Sequence, residues 1–459
     1  MDESRRRLVV RVAWAVLIAA ALALRIAVVH TWHVPAGDGH QYYQLAQQLA
    51  AKHRFAYGNA PAPLVWTRLP GYPLFLAFVA VRTAPLAIEA HLVRATLANV
   101  ALDLAGALLL VSVVRRLGAR PAYQMATFAV AIFAPSVILL ASYGLSESLA
   151  TFLVVATFAC AAHYRLSRNW RWALAAGVAL GASQLVRADT ITLVPALALL
   201  VAGGRARDLA VMALAAIVTF APWPIRNLVQ FGAPHPFGTS WISQDGQPQP
   251  TGMPDWMRSW SGGRRGEAYL QVLVSNRMPL VDRPGVLLPA MYDSPEERAA
   301  IVALFDRYNR EKLSPAVDEG FRALARERRA RDPLRHYVVL PLRRLWALWI
   351  PTPDYELPLR TPVLRMPAMR PLFDRVQTAL ILIGLVGLAL AARVAELRRF
   401  AAVVALALVA RTAFFSYFHP FPTQRYVVEL IPLVMLFAVY ALATTLARAR
   451  ATRRRRAAA

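Results

Sequence analysis

Residues 8–29 read LVVRVAWAVLIAAALALRIAVV, and residues 36–49 read AGDGHQYYQLAQQL. The first stretch is apolar and long enough to cross a bilayer, which takes about 20 residues. The second opens on an acid, Asp38, with Gln41 three residues later, the spacing of a helix capping box. Tyr42, Leu45, Ala46 and Leu49 then fall at i, i+3, i+4 and i+7, one apolar stripe. The pair predicts a membrane span followed by a surface helix with a carboxylate at its start.

The same pattern extends outward over the 459 residues, of which 57% are hydrophobic. Apolar runs recur at Leu92–Val114, Ala122–Ala141, Leu149–Tyr164, Trp172–Val186, Thr190–Val201 and Leu209–Pro222. Three more follow at Val376–Ala392, Phe400–Phe415 and Val427–Leu446. This is an all-α polytopic membrane protein. The net charge of +26 does not indicate nucleic acid, because much of it flanks the apolar runs as topology signals and lipid-headgroup contacts. Arg5, Arg6, Arg7 and Arg11 place the N-terminus in the cytoplasm, and Arg453–Arg456 do the same for the C-terminus. Arg115, Arg116, Arg120, Arg165, Arg168, Arg171, Arg205 and Arg207 mark the inner loops. About ten crossings result, with His336–Ile350 lying in the interface. Arg25, near the outer end of the first span, is expected to snorkel to the surface. Asp103, mid-span with Asn99 one turn earlier, reads as an interhelical polar contact. The lone Cys160 excludes a disulfide framework.

Three parts follow from this reading. Residues 1–227 form an N-terminal transmembrane module with a first external loop over 30–90. Residues 228–335 form an external, partly helical loop carrying Trp241, Trp256 and Trp260. Residues 336–459 form a C-terminal transmembrane module. In the external loop, Ser294-Pro295-Glu296-Glu297 and Ser314-Pro315 spell helix starts, with Ser at the N-cap and Pro at the first helical position.

On this topology many polar residues reach the external face: Asp38, His40, Tyr42, Arg68, Tyr72, Tyr143, Glu147, Arg187, Asp189, Arg226, Asn227, His419, Gln424, Arg425, Tyr426 and Glu429. Polar groups against a bilayer are costly and usually face a cavity. Arg187, Arg226 and Arg425 sit at outer boundaries, where arginine can clamp a phosphate bidentately or simply meet headgroups. Asp38 is either a structural N-cap or a general base, and the two roles are compatible. The aromatics serve a sugar platform or the interfacial belt. The sequence shows no phosphate loop, no nucleotide-binding domain and no Cys/His cluster for a metal.

Three motifs carry a family resemblance. Asp38 precedes Tyr42-Tyr43-Gln44-Leu45-Ala46 and then Pro70-Gly71-Tyr72-Pro73-Leu74. Ala221-Pro222-Trp223-Pro224-Ile225-Arg226-Asn227 closes a span, with Phe231-Gly232 after it. Arg425-Tyr426 stands just before Pro432. With these, the chain resembles glycosyltransferase family 39, the relatives of protein O-mannosyltransferases and of the lipid A aminoarabinose transferase, within the GT-C class. The resemblance implies a GT-C-type transmembrane helix bundle and a polyprenyl-phosphate-linked sugar as donor. It also implies a lipid, glycan or protein acceptor, and transfer on the external side of a bacterial plasma membrane. Asp38 takes the catalytic role. Arg187, Arg226 and Arg425 are the candidates for the donor phosphate, and His40, Tyr42, Arg68, Tyr72, Glu147 and Tyr426 line the pocket. No organic cofactor is implied, and a divalent metal stays open. Where the mannosyltransferase branch has a second acid beside the first, this chain has Gly39. A flippase, or a polymerase or ligase of lipid-linked glycans, is the competing reading.

Overall fold

The computed structural model describes residues 3–31, 38–58, 64–81, 88–141, 144–237, 250–263, 265–284, 286–350 and 366–458. Tyr143, Trp241, Arg360 and Arg365 lie outside them. Helices α1 (Glu3–Thr31), α2 (Asp38–Lys52), α3 (Gly71–Leu76) and α4 (Ile88–Arg116) open the chain. A pair at Pro121–Ile132 and Pro135–Ala141 (α5, α6) follows, then α7 (Glu147–Ser167), α8 (Trp170–Val186) and α9 (Val194–Val201). Next come α10 (Ala206–Phe220) and α11 (Pro222–Phe231). The loop region holds α12 (Gly252–Trp260), α13 (Arg265–Ser275), α14 (Pro295–Glu311) and α15 (Pro315–Arg331). The chain closes with α16 (Leu340–Trp349), α17 (Met366–Ala391), α18 (Ala395–Phe418) and α19 (Ile431–Ala458).

Seven helical segments among the described residues are long and apolar enough to cross a membrane. The other three of the ten expected crossings are shorter or interrupted. Run 122–141 breaks before Pro135, which lacks an N–H and disfavours helix in the residue ahead of it. Trp170–Val186 has 17 residues, and run 188–201 begins as a 3₁₀ turn. The central helix is α7: 78% of its most apolar window is buried, against 11% for α1. Around it, Phe128, Phe158, Leu197, Val404, Val434 and Phe437 join α5, α7, α9, α18 and α19 in one core.

Lipid tails are as apolar as leucine, so helices here associate through close backbone packing. Gly387 of α17 shows this: a methyl there would overlap the carbonyl of Phe437 on α19. Gly387→Leu is therefore expected to lower the melting temperature of the detergent-solubilised protein, since overpacking costs about 1–3 kcal/mol or more. An unchanged melt would contradict this contact.

Arg25 corrects one expectation. It does not snorkel; it is buried, pairs with Asp103 at 2.6 Å and donates to Ile132 O at 2.8 Å. A charge this far inside is tolerable only when paired, so the pair ties α1 to α4 and α5.

One end of the bundle is basic. Arg168 donates to Gly203 O at 2.8 Å and Arg399 to Ala202 O at 2.9 Å, which gathers three arginine-bearing turns. The opposite end carries a cap built from α12–α15, with its own core of Trp256, Trp260, Phe305 and Phe321. The expected serine caps are present: Glu297 N donates to Ser294 Oγ at 3.2 Å and Val317 N to Ser314 Oγ at 3.3 Å. The Asp318 carboxylate receives the N–H groups of Thr251, Gly252 and Met253 at the start of α12. Buried Arg344 of α16 fastens the cap to the bundle by donating to Ser261 O at 2.9 Å and Ser416 O at 3.0 Å.

Candidate functional site

Helix α2 begins at Asp38, an acid where the helix dipole favours one. It does not lie free on a surface. Ala46 packs beneath Tyr72 and Leu76, and Leu45 packs with Phe55, Val65 and Trp223. The segment after α2 folds back, carrying Arg68 over the helix start. Arg68 Nη2 reaches Asp38 Oδ1 at 2.6 Å, and its Nε donates to Gln41 Oε1 at 2.9 Å. Its guanidinium also lies over the Tyr42 ring, and Tyr42 meets Tyr72 edge-on with centroids 5.2 Å apart. The second oxygen, Oδ2, stands 4.0 Å from Arg425 Nη2. The Asp38 side chain stays 35% exposed and is the open end of the site.

Behind Asp38 the charges continue inward. Glu147, at the first position of α7, accepts from Arg425 Nε at 2.8 Å and pairs with Arg187 Nη1 at 3.3 Å. Arg187, at the C-cap of α8, also meets Asp189 at 2.7 Å and Glu429 at 2.9 Å. Arg411 of α18 closes the row, 3.1 Å from Asp189 and 3.0 Å from Glu429. Four carboxylates thus alternate with four arginines: Asp38, Glu147, Asp189 and Glu429 against Arg68, Arg425, Arg187 and Arg411. The charges cancel, which is how buried ions become tolerable.

Burial pushes the Asp38 carboxyl upward, but Arg68 and Arg425 outweigh it and hold the group below the usual carboxylate range. Asp38 is therefore ionised at neutral pH, and its contribution to stability is lost only as pH falls through that lowered value. His419 behaves differently. Burial, then Arg344 and Arg258, lower its pKa to about 3. Its Nδ1 accepts from Phe421 N at 3.1 Å, leaving Nε2 to pair with Tyr426 Oη at 3.1 Å. The folded His419 binds fewer protons than the unfolded one, so stability is full above about pH 6.5 and falls as pH drops toward 3. His419→Gln is expected to flatten the melting temperature against pH between those limits. A profile identical to wild type would rule out His419 as the source.

The expected site residues separate into groups. Asp38, Arg68, Tyr42 and Tyr72 meet at the start of α2, and Arg425, Glu147 and Arg187 continue the row. Tyr426 stacks on Phe415 with Arg187 over its ring. Arg226 is placed against a different wall: it donates to Val65 O at 2.8 Å and lies over Phe55, Trp223 and Phe231. His40 is exposed and pairs with Gln44 one turn on. Arg187 and Arg425 thus share Glu147, while Arg226 stands apart from both. Sequence reasoning passed over Arg411. The available signal was its position as the one Asp, Glu, Lys or Arg between Phe400 and Gln424 in an apolar run. Among the described residues no three His, Cys, Asp or Glu side chains gather as metal ligands.

No protein-family model and no curated protein sequence matches the chain. Solved structures do. The crystal structure of the Archaeoglobus fulgidus oligosaccharyltransferase tethered to an acceptor peptide aligns over 95% of this chain at 13% identity, with a TM-score of 0.50. The two share a fold over this length. The chain spans 50% of the length of that oligosaccharyltransferase, and at this identity the likeness is one of fold. The same archaeal enzyme with an inhibitory peptide and a dolichol-phosphate aligns over 97% of this chain and 52% of its own, at 15% identity and a TM-score of 0.45. ArnT from Cupriavidus metallidurans bound to undecaprenyl phosphate aligns over 93% of this chain and 77% of its own, at 16% identity and a TM-score of 0.41.

Proposed function

We propose that this protein is a membrane glycosyltransferase. It moves a sugar from a polyprenyl phosphate to a hydroxyl acceptor, with inversion, at the end of the bundle opposite the basic loops. The observation that carries this reading is Asp38: a part-exposed carboxylate between two arginines at the mouth of a buried, charge-neutral row. The arginine-rich turns at the other end support a cytoplasmic place for that end and both chain termini, and an external one for the Asp38 end.

Asp38 Oδ2 is the oxygen left for the acceptor, since Oδ1 is held by Arg68. It receives the proton of the acceptor hydroxyl as that oxygen bonds to the anomeric carbon, and the lipid phosphate leaves with the bonding pair. A carboxylate held this acidic is a weak base in the resting protein. A donor phosphate seated on Arg425 would cancel one of the charges that depress Asp38, so base strength would rise when the donor arrives. Arg425 is the arginine suited to that contact, because it is 30% exposed while Arg187 is enclosed. The experiment is to supply the protein in sealed proteoliposomes with a labelled polyprenyl-phosphate sugar and a hydroxyl acceptor, and to measure glycosylated acceptor and released polyprenyl phosphate together. Release coupled to acceptor labelling is expected. Movement of intact donor across the bilayer without bond cleavage would instead establish a flippase.

A further inference from the structure

On the other side of α18 from the Asp38 row lies a cavity of about 600 Å³ among the cap, α16 and the start of α9. Arg411 and His419 stand between the two sites: Arg411 Nη1 reaches Thr192, which lines the cavity, and also Asp189 of the row. One side of the cavity is strongly cationic. Arg258, Arg329, Arg344 and His336 all line it, and among the described residues no acidic one does. Two carboxylates answer these charges from outside the lining: Asp255 pairs with Arg258 and lies 3.9 Å from Arg329, and Glu267 acts on Arg344. Arg344, 1% exposed, is held by backbone carbonyls. Burial, then the neighbouring Arg258, lower its pKa to about 10, and burial with all three arginines lowers that of His336 to about 4. His336 Nδ1 is buried without a hydrogen-bond partner. Three arginines, one buried and two part-exposed, thus meet two carboxylates, and an anion in the cavity would balance the remainder.

The other side is apolar and open to the bilayer. Phe414, Tyr417 and Phe418 of the spanning helix α18 line it with Ala413, and their rings are exposed. Ile191 and Tyr337, also exposed, complete that side. Anionic at one end and apolar at the other is the chemistry of a lipid carrying a phosphate. The volume suits one headgroup with the first part of a chain, within the about 300–1,000 Å³ usual for ligand sites. Arginine is the residue suited to phosphate oxygens.

We propose that this cavity seats the anionic phosphate headgroup of one membrane lipid, entering from its apolar side. The site stands apart from Asp38 and does not depend on the glycosyl-transfer reading. The test uses the delipidated full-length protein, with phosphatidylglycerol, polyprenyl phosphate, phosphatidylcholine and inorganic phosphate as separate probes. Native mass spectrometry and thermal melts report binding. One equivalent of phosphatidylglycerol is expected to bind and raise the melting temperature, and polyprenyl phosphate is expected to bind the cavity in addition to its place at Arg425. Competition between those two tells a bilayer lipid from a lipid carrier. R258Q/R329Q removes two charge-assisted contacts and is expected to weaken binding about tenfold or more. Ala413→Trp, on the exposed face of α18, fills the apolar side without touching the cap and is expected to do the same. Asp38→Asn is expected to leave lipid binding unchanged. The proposal is overturned if both cavity variants bind like wild type, if phosphatidylcholine binds as well, or if inorganic phosphate alone gives the full shift.

Discussion

Asp38→Asn is expected to lower sugar transfer by about 10²–10⁴-fold, the usual worth of a general base. Asn keeps the shape of Asp and offers Arg68 a carbonyl oxygen, so the start of α2 is held much as before. What it removes is the oxygen that can receive a proton. The control follows from exposure: Asp38 and Arg68 are about one-third exposed, and pairs at that exposure contribute little stability. The melting temperature should therefore stay near wild type while turnover collapses. Binding of the donor lipid should persist, because its phosphate contact is assigned to Arg425. Equal turnover in wild type and variant would remove Asp38 from the chemistry. Loss of folding would show that Arg68 depends on the negative charge.

Arg411→Leu is the complementary experiment, with its largest effect on stability. Arg411 is fully buried and serves Asp189 and Glu429 together. Removing it leaves four acids facing three arginines, and an uncompensated buried charge costs about 3–5 kcal/mol. A large drop in melting temperature, with poor recovery from detergent, is expected. The double variant Arg411→Leu/Glu429→Leu restores the balance at three against three, and Asp189 keeps Arg187. It should melt well above the single variant, since replacing a buried pair with apolar residues is often neutral. A double variant no more stable than Arg411→Leu would mean that the row is held by packing and not by charge cancellation.

Much of the molecule was legible from local pattern. Leu149–Tyr164 and Phe400–Phe415 lie within α7 and α18, and Val427–Leu446 overlaps a span over 428–452 in all but its first residue, because a bilayer selects apolar runs by length. Ser294 and Ser314 cap the helices they were expected to cap, since a cap involves residues only three apart. The misses are equally physical. Arg25 looked like a snorkelling residue because its partner is 78 positions away on another helix. Arg187 and Arg226 looked alike at two span ends, yet one is surrounded by carboxylates and the other by aromatic rings. Sequence position says where a side chain leaves the membrane, not what it meets there.

That contrast is sharpest at the acid that begins α2. Hydropathy, charge and helix-start chemistry act over one span or one turn. By themselves they determined a polytopic helical bundle, a helix that begins at Asp38 and a basic opposite end. The tertiary structure alone decided that Arg425 reaches Glu147 across 278 positions, that Arg411 closes the row, and that Arg258, Arg329 and Arg344 face one cavity. Charge pairing is a matter of ångströms between side chains, and only the packed helices set those distances.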